Sequence, residues 1–259
     1  MTVARLACGL LTLALVGLLP AGARAQGGRQ GGGRGGPPPT PQAAAPVDLT
    51  GYWVSIVADD WRWRMVTPPK GDVLYLPVNA EGRRVAEAWD PAADEAAGEI
   101  CKAYGAPGVM SLPGRLHITW QDASTLQVDI DTGTQTRLLH FGDAPAGVAP
   151  SLQGDSRASW EYAGGRPPRG GGPGRGGSLK VVTRRLLPGY FRKNGVPYGG
   201  DAVLTEHYAR VSGQQDDEYL LVTRILEDPQ YLNAPYVRTV QFRKQDDASG
   251  WNPTPCSAR

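Results

Sequence analysis

Apolar and polar residues alternate with a period of two along most of the chain between residues 51 and 244, the pattern of strands with one buried face. Short connections at 121–124, 131–133 and 212–216 leave no room for crossover helices, so they predict antiparallel hairpins. We therefore predict an all-β fold, an antiparallel up-and-down barrel of about eight to ten strands, with a two-sheet sandwich as the alternative. The segments predicted as strands are 51–57, 115–120, 125–131, 134–141, 156–162, 178–186, 202–211, 218–226 and 235–244.

The two-residue period is interrupted near 79–104, where a short helical insertion is predicted. Asn79 is a suitable N-cap for a helix over NAEGRRVAEAW. A second short helix is predicted from Asp94 to about Ala103, with Gly105 ending it.

The N-terminus has the three parts of a secretory signal peptide. Arg5 supplies a positive charge, LACGLLTLALVGLL is an apolar run, and Ala23-Arg24-Ala25 is a cleavage motif. A transmembrane anchor, the alternative, needs about 20 apolar residues, and this run is shorter. We expect residues 1–25 to be removed, which makes the mature chain an exported bacterial protein, periplasmic or extracellular, with no further membrane span.

Two stretches are too rich in glycine, proline and arginine to bury a core. Residues 26–46 are predicted to be a disordered leader, and about 163–177 a disordered loop within one folded domain over 47–259. Both contain Arg-Gly-Gly runs, but behind a signal peptide a solvated spacer is the better interpretation. The net charge of +2 is also too small to indicate a nucleic-acid partner.

Export changes how the cysteines are interpreted. Removal of Cys8 with the signal leaves Cys101 and Cys256 in a compartment that permits disulfides. We predict a bridge that holds the C-terminal tail against the body of the protein. The alternative is two unrelated thiols.

Eight further blocks are spread along residues 48–256 outside the glycine-rich loop: DDWRWRMVTPPKGD, PVNAEGRRVAEAWDP, PGRLHITWQD, GTQTRLLHF, SLKVVT, RKNGVPYGGDAVLTEHYAR, LVTRILEDPQYLNAPYVRT and WNPTPC. Together they resemble an uncharacterised family of secreted bacterial lipocalin-like proteins, over nearly all of that range. This resemblance implies a calycin-type barrel and transfers no catalytic residue. In lipocalins, the tryptophan of a Gly-x-Trp motif plugs one end of the barrel beneath an arginine of the last strand. The resemblance therefore implies that Trp53 meets Arg238 or Arg243, although Gly-x-Trp alone is a weak motif.

The densest run of aromatic and charged residues is DDWRWR at 59–64. In an extended segment its two tryptophans face one side and Arg62 and Arg64 the other. The arginines could hold a carboxylate or sulfate group while a tryptophan stacks on a ring. Alternatively, they pair with nearby aspartates on the surface.

Charged residues also interrupt apolar rows on the late strands. Glu206 and Tyr208 share one face of their strand, and Arg137 and Arg224 lie in apolar rows of two others. A buried charge needs a partner, so we predict that Glu206 pairs with Arg224 or Arg137 inside the barrel. The pair is either structural, a polar anchor for a ligand, or a site where Glu206 acts as a general acid or base.

No catalytic template is present in the sequence. The histidines His117, His140 and His207 lack the close spacing of a metal site, so neither a metal nor a cofactor is predicted. The predicted function is non-catalytic binding of a small, partly apolar or aromatic ligand. The alternatives are a hydrolase, hydratase or isomerase that uses Glu206, and a cell-envelope interaction protein. The predicted ligand-binding residues are Arg62, Arg64, Trp120, Arg137, Glu206, Tyr208 and Arg224.

Overall fold

The computed structural model describes residues 38–142, 149–167 and 176–259. The predicted signal peptide, the first part of the predicted leader and the centre of the glycine-rich loop lie outside these described residues.

The described chain consists mainly of strands, with four short α-helices and one 3₁₀ turn at Lys102–Tyr104. The helices are α1 (Trp61–Arg64), α2 (Ala80–Ala88), α3 (Pro91–Ala96) and α4 (Ala106–Val109). The strands are β1 (Gly51–Ile56), β2 (Arg115–Asp122), β3 (Thr125–Ile130), β4 (Gln135–Phe141), β5 (Asp155–Tyr162), β6 (Gly177–Arg184), β7 (Gly189–Arg192), β8 (Val196–Tyr198), β9 (Val203–Ser212), β10 (Glu218–Glu227) and β11 (Tyr236–Gln245).

Nine of these strands form a closed barrel in the order β1-β11-β10-β9-β6-β5-β4-β3-β2, which confirms the predicted all-β barrel with a helical insertion. Each barrel strand adjoins the next barrel strand along the chain, and the three predicted hairpins are present. Strands β7 and β8 form a separate two-stranded sheet that was not predicted. They have four and three residues, too few to show a two-residue period.

One pair of neighbouring strands, β4 and β5, is parallel, so the barrel is antiparallel at eight of its nine strand pairs. The reason is geometric. Strand direction reverses at every antiparallel pair, so a closed ring of nine strands cannot have nine antiparallel pairs.

The helical insertion follows the predicted pattern in its first half. Asn79 caps α2 by accepting a hydrogen bond from the Gly82 N–H at 2.9 Å. The second helix differs from its prediction, because α3 starts at Pro91 and ends at Ala96. Asp90 caps α3, and Gly98 follows it with a φ of 73°, a left-handed conformation that favours glycine and stops the helix early.

The barrel has two differently built ends. One end holds the start of β1 and the end of β2, and residues 38–49 lie there, where the Trp160 indole bonds to the Pro41 carbonyl; we call it the leader end. At the opposite end, which we call the cap end, lie the helices and the β7–β8 sheet. Residues 103–110 are all buried there, and Val109 and Met110 belong to the apolar core of the barrel.

Trp53 is fully buried, and its indole N–H donates to the Leu49 carbonyl at 3.0 Å. The cation over its ring is the Lys244 ammonium, 4.6 Å from the ring centroid. The expectation of Arg238 or Arg243 at this place is wrong, because Arg238 pairs with Asp60 at 2.8 Å and Arg243 is exposed. Lys244 occupies the position because it is the direct register partner of Trp53 across the β1–β11 pair.

The predicted disulfide between Cys101 and Cys256 is confirmed. It attaches the C-terminal tail to the cap end. Hydrogen bonds of 2.9 Å from the Thr254 N–H to Asp131 and from the Thr134 hydroxyl to Thr254 hold the same tail against the β3–β4 turn.

Candidate functional site

The predicted buried ion pair lies in the interior of the barrel. Arg137 and Glu206 form two parallel hydrogen bonds, Nη1 to Oε1 at 3.0 Å and Nη2 to Oε2 at 2.5 Å, and both side chains are fully buried. The Thr183 hydroxyl accepts a further hydrogen bond from Arg137 at 3.3 Å, and the Tyr208 hydroxyl another at 3.4 Å. The predicted pairing of Glu206 is therefore confirmed.

This pair is part of a filled interior. Burial alone would lower the pKa of Arg137, but the charge of Glu206 outweighs it and raises that pKa. Burial, reinforced by Glu206, raises the pKa of the Tyr208 phenol. Apolar side chains surround these groups, so a ligand would have to displace packed side chains to reach them.

Trp120 lies elsewhere, at the leader end. Its ring packs 5.6 Å from Phe141 and 6.3 Å from Trp160, measured between centroids. The Trp160 indole donates to the Pro41 carbonyl at 2.8 Å, so contacts with the barrel begin within the stretch predicted as a leader. The chain itself therefore covers this aromatic cluster.

The cap end, in contrast, carries an open cleft of about 660 Å³, counting space continuous with solvent. The cavity volume proper is about 40 Å³, so the cleft is narrow. Aromatic rings line much of it, together with four basic and two acidic side chains. The aromatic residues are Trp63, Tyr75, Phe191 and Tyr236, the basic ones Arg64, Arg192, Lys193 and Arg238, and the acidic ones Asp59 and Asp60.

The DDWRWR segment shapes this cleft as a helical turn, so the prediction of an extended segment is wrong. Asp60 has a φ of 56°, and the Met65 N–H then bonds to the Trp61 carbonyl at 2.9 Å. Exposure consequently follows the turn: Trp61 and Arg62 are exposed, while Trp63 and Arg64 are half-buried.

Trp63 is held in the cleft by three neighbours. Its indole N–H donates to the Asp72 carboxylate at 3.0 Å, and its ring meets Tyr75 edge-on at 5.9 Å between centroids. The Arg192 guanidinium lies 4.8 Å from the ring centroid. These contacts place an aromatic wall beside a cation, an arrangement that suits an aromatic ligand with a polar group.

The seven predicted ligand-binding residues thus lie in different parts of the molecule. Arg64 lines the cap-end cleft, and Arg224 connects the interior to the cap by donating to the Ser111 hydroxyl at 2.5 Å. Arg62 sits outside the cleft, 5.8 Å from the Trp63 ring. Arg137, Glu206 and Tyr208 are interior, and Trp120 is at the leader end. Their role in binding remains a prediction.

Sequence reasoning missed several residues of the cleft, above all Arg192, Ser111 and Tyr236. Arg192 lies on β7, which is too short for its pattern to be recognised, and Ser111 follows a helix of four residues. Tyr236 lies in the predicted strand 235–244, but no local signal shows that the start of that strand borders a cleft.

The three histidines are separated in the fold. His117 stacks on Tyr52 at 4.0 Å, and His207 contacts the Glu161 carboxylate at 2.9 Å. Within the part of the chain that the structure describes, no group of three or more histidine, cysteine, aspartate or glutamate side chains is placed to hold a metal ion.

No family model matches the chain, and comparison with curated proteins and with solved structures gives no significant match. The closed nine-stranded barrel is compatible with a lipocalin-like fold. Among the described residues, no helix has the length and apolar character needed to cross a membrane.

Proposed function

We propose that this protein is an exported, non-catalytic binding protein, built on a lipocalin-like barrel, that holds a small, partly aromatic molecule in the cap-end cleft. One observation carries the proposal: the cleft that opens to solvent combines aromatic walls with basic side chains, whereas the barrel interior is filled. The apparent signal peptide and the Cys101–Cys256 disulfide support export.

The interior carboxylate is unsuited to catalysis. A general acid or base must come within about 3 Å of the proton that it transfers. Glu206 is fully buried, with both carboxylate oxygens bonded to Arg137. This arrangement favours the structural interpretation of the ion pair over the enzymatic one.

A second function is favoured by exposed large apolar side chains on two segments, 61–66 and 74–75, that contribute residues to the cleft. Isolated exposed apolar residues are ordinary, but a group of them indicates a contact surface. The alternative is therefore an interaction protein of the cell envelope. These residues and their exposed fractions are Trp61 at 61%, Met65 at 58%, Val66 at 63%, Leu74 at 54% and Tyr75 at 72%.

A ligand-binding experiment separates these functions. Mature protein from the periplasm or medium of its host is screened by ligand-observed NMR against small aromatic compounds, as wild type, Trp63→Ala and Trp160→Ala. We expect saturable binding that Trp63→Ala weakens at least about tenfold and that Trp160→Ala leaves unchanged. Equal loss in both variants, or no binding by the wild type, would overturn the proposal. The absence of binding together with capture of a specific envelope protein through Trp61 would favour the second function.

A further inference from the structure

We propose that Tyr75 selects the ligand of the cap-end cleft, because it offers an exposed aromatic ring on which a flat ligand of two or more rings stacks. The inference rests on the proposed function and adds the residue that determines specificity and the kind of ring system that it takes.

The backbone of Tyr75 has a left-handed conformation, with a φ of 63°. For a bulky side chain this conformation is rare, because the Cβ atom crowds a neighbouring carbonyl oxygen. Of the six described residues other than glycine that have a positive φ, Tyr75 is the one with an aromatic side chain. The others are Asp60, Thr134, Arg185, Gln215 and Asp216.

A tight turn imposes this conformation. Tyr75 is the third residue of a turn from Val73 to Leu76, and the Leu76 N–H closes the turn by donating to the Val73 carbonyl at 3.1 Å. Val73 is buried and Leu76 packs against the same apolar cluster, so both ends of the turn are fixed. A turn with a positive φ at its third residue normally has glycine or asparagine there. The chain thus places a tyrosine where a smaller residue would relieve backbone strain.

Packing within the protein does not account for this tyrosine. Tyr75 is 72% exposed, the largest fraction among the exposed large apolar residues that the structure describes. Its ring meets one aromatic neighbour, Trp63, at 5.9 Å between centroids. A residue that serves folding alone would bury its ring, whereas strained residues cluster at binding sites. Strain and exposure together therefore fit a role in binding.

Tyr75 lies where the cleft meets two open grooves. It lines the cleft and two grooves of about 450 and 420 Å³, the first beside Pro77 and Pro235 and the second beside Arg83. The cavity volume of the cleft itself, about 40 Å³, is far below the roughly 300–1,000 Å³ of a pocket that encloses a small molecule. A ligand anchored in the cleft must therefore extend past Tyr75 into one of the grooves.

The rings of Tyr75 and Trp63 form a corner that suits a flat ligand. Their planes are 82° apart. A ring stacked on Tyr75 consequently stands at a steep angle to Trp63, and offset stacking and edge-to-face contact are both favourable. Because the cleft takes only part of a molecule while Tyr75 offers a stacking face beside it, the geometry favours a ligand with two or more fused or linked aromatic rings.

The binding test uses anilinonaphthalene sulfonate, a dye with linked aromatic rings, and measures its affinity for the mature protein by fluorescence titration. The variants are Tyr75→Phe, Tyr75→Ala and Tyr75→Gly. We expect the two variants without a ring to bind the dye at least about tenfold more weakly than the wild type. Tyr75→Phe, which keeps the ring, should retain the binding that they lose.

Urea unfolding separates the effect of the ring from that of the backbone. At an ordinary position glycine destabilises a protein relative to alanine, but at a left-handed position it relieves strain. We therefore expect a higher urea midpoint for Tyr75→Gly than for Tyr75→Ala, although both bind the dye equally weakly.

The matched control is Gln215, which has a φ of 54° in the turn between β9 and β10 and does not line the cleft. Gln215→Gly should likewise have a higher urea midpoint than Gln215→Ala, because the same strain is relieved. Neither control variant should change the affinity for the dye.

The outcomes distinguish this inference from the proposed function. Dye binding that survives in Tyr75→Ala and Tyr75→Gly overturns the inference and leaves the proposed function in place. A midpoint for Tyr75→Gly no higher than that for Tyr75→Ala also overturns it, since the backbone would then not be strained. Binding of single-ring compounds without binding of the dye overturns the multi-ring ligand and again leaves the proposed function. If the wild type binds neither the dye nor any compound of the aromatic screen, both are overturned.

Discussion

Both ends of the β-barrel are covered by other parts of the chain, but the side chains that cover them differ in chemical character. At the leader end a short segment of the chain lies over Trp120, Phe141 and Trp160, and the polar tip of Trp160 is satisfied by the Pro41 carbonyl. At the cap end the buried residues 103–110 fill the opening, but Arg64, which lines the cleft beside them, keeps one buried nitrogen without a hydrogen-bond partner among the described residues.

This difference suggests that one end of the barrel contributes to stability and the other to function. Aromatic rings whose polar atoms are satisfied stabilise the closed end. Buried donors without acceptors destabilise the other end unless a ligand supplies the acceptors. The leader end is therefore expected to matter for folding, and the cap end for binding.

The largest effect is expected between the two ends, at the interior ion pair. Glu206→Ala leaves the Arg137 charge buried without its carboxylate, which should lower the free energy of unfolding by about 3–5 kcal/mol. Urea denaturation measures this change. The matched control is Glu161→Ala, which removes a glutamate from an exposed contact with His207 and should cost at most about 1 kcal/mol. Similar losses of unfolding free energy in the two variants would show that the interior ion pair stabilises the fold no more than the exposed contact does.

The next effect concerns the attachment of the tail to the cap end. Replacing both Cys101 and Cys256 with serine removes a bridge that spans 155 residues of sequence. In the chain-entropy picture this should lower the free energy of unfolding by about 2–4 kcal/mol. Urea denaturation with and without reductant measures it, because reductant should destabilise the wild type and not the variant. An unchanged wild type in reductant, with the bridge shown to be reduced, would contradict the prediction.

A pair of tryptophan variants tests the comparison of the ends directly. Trp160→Ala should lower the free energy of unfolding by about 2–3 kcal/mol, because it opens the aromatic cluster of the leader end. Trp63→Ala, at the cleft, should cost about 1 kcal/mol, since its ring meets one aromatic ring and two guanidinium groups, whereas Trp160 packs between two aromatic rings. Thermal and urea unfolding of both variants measure which of the two stability losses is larger. A reversed order would mean that the cap end, rather than the leader end, stabilises the barrel.

The smallest effect is a pH dependence at the cleft. Burial would raise the pKa of Asp72, but hydrogen bonds from the Leu74 N–H and the Trp63 indole, with the charge of Arg192, outweigh it and lower that pKa. A lowered carboxylate pKa stabilises the fold above the ordinary value of about 4, and this contribution is lost as the pH falls through the lowered pKa. Tryptophan fluorescence between about pH 5 and pH 2 should therefore change more in the wild type than in Asp72→Asn. Identical curves would show that the contact between Asp72 and Trp63 has no effect.

Much of the fold could be predicted because its signals are local. The two-residue period located the nine barrel strands, with observed bounds close to the predicted ones, from Gly51–Ile56 to Tyr236–Gln245. The charged Glu206 within an apolar row indicated a buried partner, and its partner is Arg137. Two cysteines left after export indicated a disulfide, and the structure contains it.

The candidate site could not be predicted in the same way. The left-handed Asp60 turns DDWRWR into a helical turn, so the alternation assumed for that segment placed its side chains wrongly. The convergence of Arg64, Ser111 and Arg224 joins residues more than 40 positions apart, and no pattern in the sequence relates them.

The sequence by itself determined the strands, their hairpins and the need for a buried countercharge, because periodicity and the cost of burying a charge act on each segment locally. Only the tertiary structure decided that the strands close into a barrel rather than a sandwich, that apolar side chains pack its interior, which strand pair is parallel, and which arginines line the cleft. These properties depend on how distant segments meet, since a cavity or an unpartnered nitrogen is defined by atoms that the neighbouring sequence does not contain.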